Sequence, residues 1–228
     1  IKHIQKLKDD AARRAGRSGE EVLLVAVTKL HSADEINEAI DCGITDIGEN
    51  KVQEIMDKYE KVKPVRWHLI GHLQTNKVKY IIDKVAMIHS VDSLHLAKEI
   101  DKRARQHGLV MDILIQVNSA MEESKFGITT EETGKMIDDI LRECPNIRIR
   151  GLMCIAPFED NPDDARVYFA EVKKLYDEYA KVHHPNLDFK YLSMGMSNDF
   201  EVAVEEGSNL IRVGTSIFGA RDYSKKMG

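Results

Sequence analysis

Short apolar runs and stretches of helical spacing alternate along the whole chain. The first run, Val22 to Val27, has no polar residue on either face, which predicts a strand over 23–27 buried on both sides. A helix precedes it, carrying Ile4, Leu7, Ala11 and Ala15 on one side. After it, Ser32 and Glu35 form a capping box for a helix whose stripe is Ile36, Ala39 and Ile40 and whose stop is Gly43. The pattern predicts further strands over 44–47, 65–70, 87–91, 111–117, 147–154, 189–193 and 210–213. Helices fall between them. One ends near Tyr59, one follows "GHLQTNK", and one carries Ala97, Ile100 and Ala104. Another is capped by Thr129 and Glu132, the next starts at Asn161 and Pro162, and a short one is expected over 197–206.

Eight β-then-α units behind a leading helix predict an α/β protein, a single (β/α)8 TIM barrel occupying 1–228 as one domain. An open doubly wound sheet uses the same alternation and remains the rival. Both put chemistry at the carboxyl ends of the strands.

Composition narrows the function classes. The 228 residues are 43% hydrophobic and 31% charged, ample for a packed core. Net charge is −5, with 33 basic and 38 acidic residues interspersed, so no nucleic-acid partner is expected. The longest purely apolar run is too short to span a bilayer, and no charged-then-apolar leader opens the chain; no membrane partner and a cytoplasmic location are expected. Cys42, Cys144 and Cys154 lie far apart without a CxxC spacing, which fits reduced thiols. No metal is expected. His68 and His72 have helical metal spacing but sit along a strand, where four residues span about 13 Å.

The candidate chemistry collects just past the strands. Val25, Val27 and Lys29 share one strand face, so the buried first strand delivers an ammonium group to its carboxyl end. "LSMGMSND" at 192–199 and "IRVGTSIFG" at 211–219 follow strands seven and eight, where barrels most often bind phosphate. Gly195 and Gly214 let backbone amides approach an anion, Ser197 is placed to open a helix, and Met194 is a candidate ligand wall. Arg212 alternates with Leu210 and Gly214 and should face the barrel interior, where it needs either a ligand acceptor or a protein carboxylate such as Glu49. A lysine, a phosphate cradle and an inward arginine suit an aldehyde-bearing phosphorylated ligand, and pyridoxal 5′-phosphate (PLP) fits all three. The lysine would take the aldehyde as a Schiff base and the arginine would meet the ring nitrogen. A ring nitrogen facing arginine stays unprotonated, which weakens the ring as an electron sink.

"AVTK", "GENKVQE", "WHLIGHLQTNK", "SKFGI", "LSMGMSND" and "IRVGTSIFGARDY" occur in this order over nearly the whole chain and closely resemble the pyridoxal phosphate homeostasis proteins, the YggS/PROSC family. The resemblance implies a fold-type III PLP site on a barrel like the N-terminal domain of alanine racemase. It implies Lys29 as the Schiff-base lysine, Asn50 near the ring and Arg212 at the ring nitrogen. Ser193, Ser197, Gly214 and Thr215 would surround the phosphate, and Lys125 matches a second lysine linked to PLP handling.

The expected function is vitamin B6 homeostasis, holding PLP and exchanging it with PLP-dependent apoenzymes or amines, as a monomer or weak dimer, without catalytic turnover. The alternative is a PLP-dependent amino-acid racemase-like enzyme, or a Schiff-base aldolase. A racemase of this fold needs an acid/base on the opposite ring face, which alanine racemase obtains through an additional β domain, and the chain ends a few residues after its eighth unit. An aldolase would not need Arg212.

Overall fold

The structure is a computed structural model, and it describes residues 1–122 and 126–219. Eight parallel strands run in chain order around a closed barrel. They are β1 (Leu23–Val27), β2 (Asp46–Glu49), β3 (Arg66–Leu69), β4 (Met87–Val91), β5 (Met111–Val117), β6 (Ile147–Cys154), β7 (Leu187–Ser193) and β8 (Leu210–Val213). Leu23 to Ala26 of β1 pair in register with Leu210 to Val213 of β8. That seam removes the open edge a doubly wound sheet would have, so the barrel is the correct alternative.

The helices are α1 (Lys2–Arg14), α2 (Ala33–Asp41), α3 (Val52–Lys58), α4 (Val78–Ile81), α5 (Leu94–Gln106), α6 (Thr130–Glu143), α7 (Arg166–Tyr179), α8 (Phe200–Glu205) and α9 (Thr215–Phe218). Each longer one buries a single stripe against the sheet. Leu96, Ala97, Ile100 and Ala104 do so from α5, the larger of them contributing about 1.5–3 kcal/mol apiece. The expected capping boxes form at Ser32–Glu35 and Thr129–Glu132. The leading helix α1 packs Ile4, Ala11 and Ala12 against Phe200, Val204, Ile211 and Val213, covering β8 and α8.

Several predicted boundaries shift: β3 is shorter than 65–70, β7 begins two residues before 189, and Pro162–Ala165 form a short 3-10 turn ahead of α7. The second strand begins at Asp46 rather than 44, because the Ile44 amide donates to Ala39 O and completes the end of α2. Helix α8 begins at Phe200 rather than 197, because residues 197–199 make a turn in which Asp199 accepts from the Met196 amide at 2.7 Å.

Inside the barrel, Val25, Met87, Leu114, Met153 and Leu210 form one apolar cluster. The neighbouring inward positions are polar: Asp46, His68, His89, Ser193 and Arg212, all buried. Barrel interiors are ordinarily filled by branched apolar residues, so a polar interior marks function rather than packing.

Outside the barrel, Glu49 faces α3. Its Oε1 accepts from Lys58 Nζ and from Thr28 Oγ1, both at 2.7 Å. Lys58 Nζ also donates to Thr28 O at 3.0 Å and to Glu54 Oε2 at 2.8 Å, and Glu54 Oε2 accepts from the Leu30 amide at 2.7 Å. The backbone on both sides of Lys29 is thus clamped to α3. Leu30 is held in the left-handed region at φ 66°, a conformation that costs a leucine about 1–3 kcal/mol and persists because the clamp over-determines it.

Burial, only partly offset by Lys58, pushes the Glu49 carboxyl up to about 7, and its Oε2 is buried without a partner. The folded state therefore keeps this proton to higher pH than the unfolded chain, whose carboxyl titrates near 4.5. Stability contributed at this site falls as pH rises between those two values, by on the order of 3 kcal/mol in all. Chemical denaturation of wild type and Glu49→Gln across this window should show the wild type losing ground to the variant as pH rises. A constant difference would mean that Lys58 keeps Glu49 ionised throughout.

Candidate ligand site at the barrel mouth

The carboxyl ends of the strands bring most of the sequence-predicted residues to one end of the barrel. Lys29 follows β1 by two residues and is half-buried. Strand alternation puts it on the face of Val25, which belongs to the interior cluster. Asn50 follows β2 directly and is also half-buried. A Cβ on Gly71, just past β3, would lie 2.3 Å from Asn50 O, so only glycine lets the β3 loop pass so close to the Asn50 backbone.

Arg212 lies in β8 beside Val25 of β1 and is 3% exposed. Its guanidinium reaches toward the neighbouring strands, donating through Nη1 to Ser193 Oγ of β7 and through Nη2 to Cys154 O of β6 at 2.9 Å. The anticipated alternative of an ion pair with Glu49 is not realised, since Glu49 points outward to Lys58. Among the described residues no carboxylate comes within ion-pair distance of Arg212. Burial lowers its pKa from the usual arginine value, with Cys154 and Asp199 pulling the other way.

The turns after β7 and β8 meet around Ser197. Its Oγ accepts from the Gly214 and Ser216 amides, both at 3.4 Å. Gly214 is the N-cap of α9, and Thr215, its first residue, is exposed. These long hydrogen bonds leave two amides aimed at a point a stronger acceptor could take, which is the chemistry of an anion cradle. Gly195 has a packing requirement of its own. At φ 96° it turns the chain, and a Cβ there would meet Ala203 Cβ at 2.7 Å and Phe200 Cα at 2.8 Å, so it serves the packing of α8.

Two other expected site residues are fully buried. Ser193 is fully buried inside the barrel and its hydroxyl is taken by Arg212 and by His89, so it supports the arginine rather than the phosphate cradle. Met194 is fully buried in the cluster that joins the barrel to its helices and offers no surface to a ligand. Lys125 lies outside the described residues.

Asp46, His68 and His89 were not recognised from the sequence as site residues. His68 Nδ1 lies 2.9 Å from His89 Nε2, and His68 Nε2 lies 2.8 Å from Asp46 Oδ1. The available signal was parity: each occupies an inward strand position, where a barrel ordinarily carries an apolar residue. His72 belongs to the rim instead, exposed and stacked on Phe126 with ring centroids 3.9 Å apart. Among the described residues no group of three or more His, Cys, Asp or Glu could hold a metal, and no helix is long and apolar enough to cross a membrane. A cavity of about 570 Å³ opens at the other end of the barrel, between Thr45, Arg66 and Lys190, away from Lys29 and Ser197.

The chain is similar to known proteins over nearly its whole length. Residues 3–222 match the family model for the alanine racemase N-terminal domain. The pyridoxal phosphate homeostasis protein of Aquifex aeolicus is 44% identical over 98% of this chain and 96% of its own. That of Escherichia coli is 40% identical over 95% of this chain and 93% of its own. The solved structure of PipY from Synechococcus elongatus with PLP bound superposes with a TM-score of 0.79 at 33% identity, covering 93% of this chain and 100% of that one. The chain belongs to the alanine racemase N-terminal domain family, and within it to the pyridoxal phosphate homeostasis proteins.

Proposed function

We propose that the protein binds PLP at the barrel mouth and serves PLP homeostasis as a carrier, holding the cofactor and releasing it to PLP-dependent apoenzymes or amines in the cytoplasm. The observation that carries this reading is Arg212: a buried cation that, among the described residues, donates to one hydroxyl and one carbonyl, and whose other N–H donors would meet a neutral ring acceptor. The Aquifex and Escherichia coli relatives' names and the PLP-bound PipY support it. Three unpaired cysteines suit a reducing compartment.

When bound, PLP supplies an electrophilic aldehyde, a ring that draws electrons from a substrate amine, and a phosphate dianion. Lys29 is the residue that would hold the aldehyde carbon, its flanking backbone fixed by the clamp from α3. Asn50, held against Gly71, would lie alongside the ring. Ser197 and the amides of Gly214, Thr215 and Ser216 would hold the phosphate. Arg212 would donate to the ring nitrogen without protonating it, because a guanidinium does not give up its proton there. A ring left unprotonated stabilises carbanion character poorly, which favours holding the cofactor over turning substrate over.

Three measurements test the reading. Borohydride reduction of the PLP-loaded protein and peptide mapping should label Lys29, and Lys29→Ala should lose that label with its circular dichroism unchanged. A label on Lys125 alone in wild type would overturn the assignment of Lys29. Pyridoxal without its phosphate should bind about 100-fold more weakly than PLP, since the oriented amide donors are then left with a poor acceptor. Equal affinity would remove the phosphate cradle. Finally, loaded protein incubated with L-alanine or L-serine in deuterated water should exchange its amine without α-deuteration. Catalytic deuteration that vanishes in Lys29→Ala would instead make the protein a racemase-like enzyme.

A further inference from the structure

The polar residues inside the barrel form one continuous string across it. From the base upward it runs Asp46 in β2, His68 in β3, His89 in β4, Ser193 in β7 and Arg212 in β8. The separations are 2.8 Å from Asp46 Oδ1 to His68 Nε2, 2.9 Å from His68 Nδ1 to His89 Nε2, and 3.1 Å from His89 Nδ1 to Ser193 Oγ. Arg212 Nη1 closes the string on Ser193 Oγ.

With Asp46 ionised and both imidazoles neutral, a single ordering of the protons satisfies every contact in this string. Both imidazoles are fully buried, and burial holds each below the ordinary histidine value, His89 well below it with the neighbouring His68 and Arg212 adding to the effect. A neutral imidazole has one donor and one acceptor nitrogen. Burial works against the charge of Asp46, yet His68, Thr45 and Arg66 outweigh it and keep the carboxyl below its ordinary value. An ionised Asp46 can only accept, so His68 must donate through Nε2. His68 Nδ1 is then a bare acceptor, so His89 must donate to it through Nε2. His89 Nδ1 in turn accepts from the Ser193 hydroxyl, and the Ser193 oxygen accepts from Arg212. The reverse order would require a protonated Asp46.

We infer that Asp46 is the remote counter-charge of Arg212, coupled to it through a one-way chain of hydrogen bonds formed by His68, His89 and Ser193. Resting on the reading that Arg212 meets the ligand, the chain makes Asp46, His68 and His89 positioning residues for the ring-binding arginine. Among the described residues no carboxylate lies within ion-pair distance of Arg212: it donates to the Ser193 hydroxyl, through which the chain passes, and to the Cys154 carbonyl, while Asp199 acts on it only at longer range. The apolar cluster of Met87, Leu114 and Met153 fills the interior around it, and a low local dielectric strengthens polarisation along such a string. The arrangement satisfies the buried cation without a carboxylate in direct contact with it, which leaves its remaining donors to a ligand. The far end of the chain is fixed independently: Asp46 Oδ2 accepts from Thr45 Oγ1 at 2.7 Å, and Arg66 Nη1 stands 3.6 Å from Oδ1.

Nitrogen-15 NMR of the ligand-free wild-type protein tests the chain without any substitution. Both His68 and His89 should appear as neutral Nε2–H tautomers at pH 7. An Nδ1–H tautomer or a doubly protonated ring at either position would overturn the inference. Asp46→Asn, a near-isosteric change, should then accelerate hydrogen exchange of the Arg212 side chain in ligand-free protein and weaken PLP binding by about 10-fold, the size of one lost charge-assisted contact. In a Ser193→Ala background, where the chain is already cut, the same substitution should change either quantity by less than about 2-fold. Equal effects in both backgrounds would reduce Asp46 to a residue that merely supports the fold, and would overturn the coupling. Should wild type fail to bind PLP, the proposed function falls, while the tautomers and the arginine exchange still decide for or against the chain. Should Asp46→Asn fail to fold, the wild-type tautomers decide.

Discussion

The pairing of β1 with β8 is the constraint on which the rest of the molecule depends. These two strands are separated by almost the whole described chain, and their parallel ladder from Leu23–Leu210 to Ala26–Val213 closes the barrel. Closure places the turn that carries Lys29 beside the turn that carries Gly214 and sets Arg212 next to Val25. A Cβ on Gly214 would come within 3.1 Å of Val27, so the seam continues past the strands into the mouth itself. An open sheet with the same elements would leave the lysine and the arginine at opposite edges.

Closure also creates the interior, and the interior is where this barrel departs from a purely packed one. Burying a guanidinium costs several kcal/mol unless its donors are met. Arg212 is met by a hydroxyl, a carbonyl and, through the two histidines, the Asp46 carboxylate. The interior therefore combines an apolar plug with a polar string. Fully satisfied strings of this kind rigidify and specify a single arrangement, because any slip leaves a buried polar atom without a partner.

A second polar assembly, outside the barrel, serves the other anchor of the site. Glu49, Glu54 and Lys58 hold Thr28 and Leu30 on either side of Lys29. The lysine side chain is consequently presented from a backbone with little freedom, on the last turns of a buried strand. Both anchors of the proposed ligand, Lys29 and Arg212, are thus fixed by polar contacts on opposite sides of one sheet layer.

Much of this was legible in the residues taken one after another. The apolar run of 23–27, the capping boxes at Ser32 and Thr129, and strands over 87–91, 111–117, 147–154 and 210–213 follow from local periodicity, which needs no knowledge of what packs against what. Strand parity likewise placed Lys29 on an inward face and Arg212 inside, since alternation is a property of the single strand. What parity cannot say is which inward residues meet. Asp46, His68 and His89 come from three different strands, and Ser193 from a fourth; only closure and tilt bring their polar atoms to hydrogen-bond distance. The same limit explains Ser193, Met194 and Glu49, whose neighbours in sequence suggested the mouth while their side chains face the arginine, the outer core and α3. The sequence alone determined the elements, their faces and the family; the tertiary structure decided the partners, because hydrogen bonds and burial depend on distances that only the closed barrel sets.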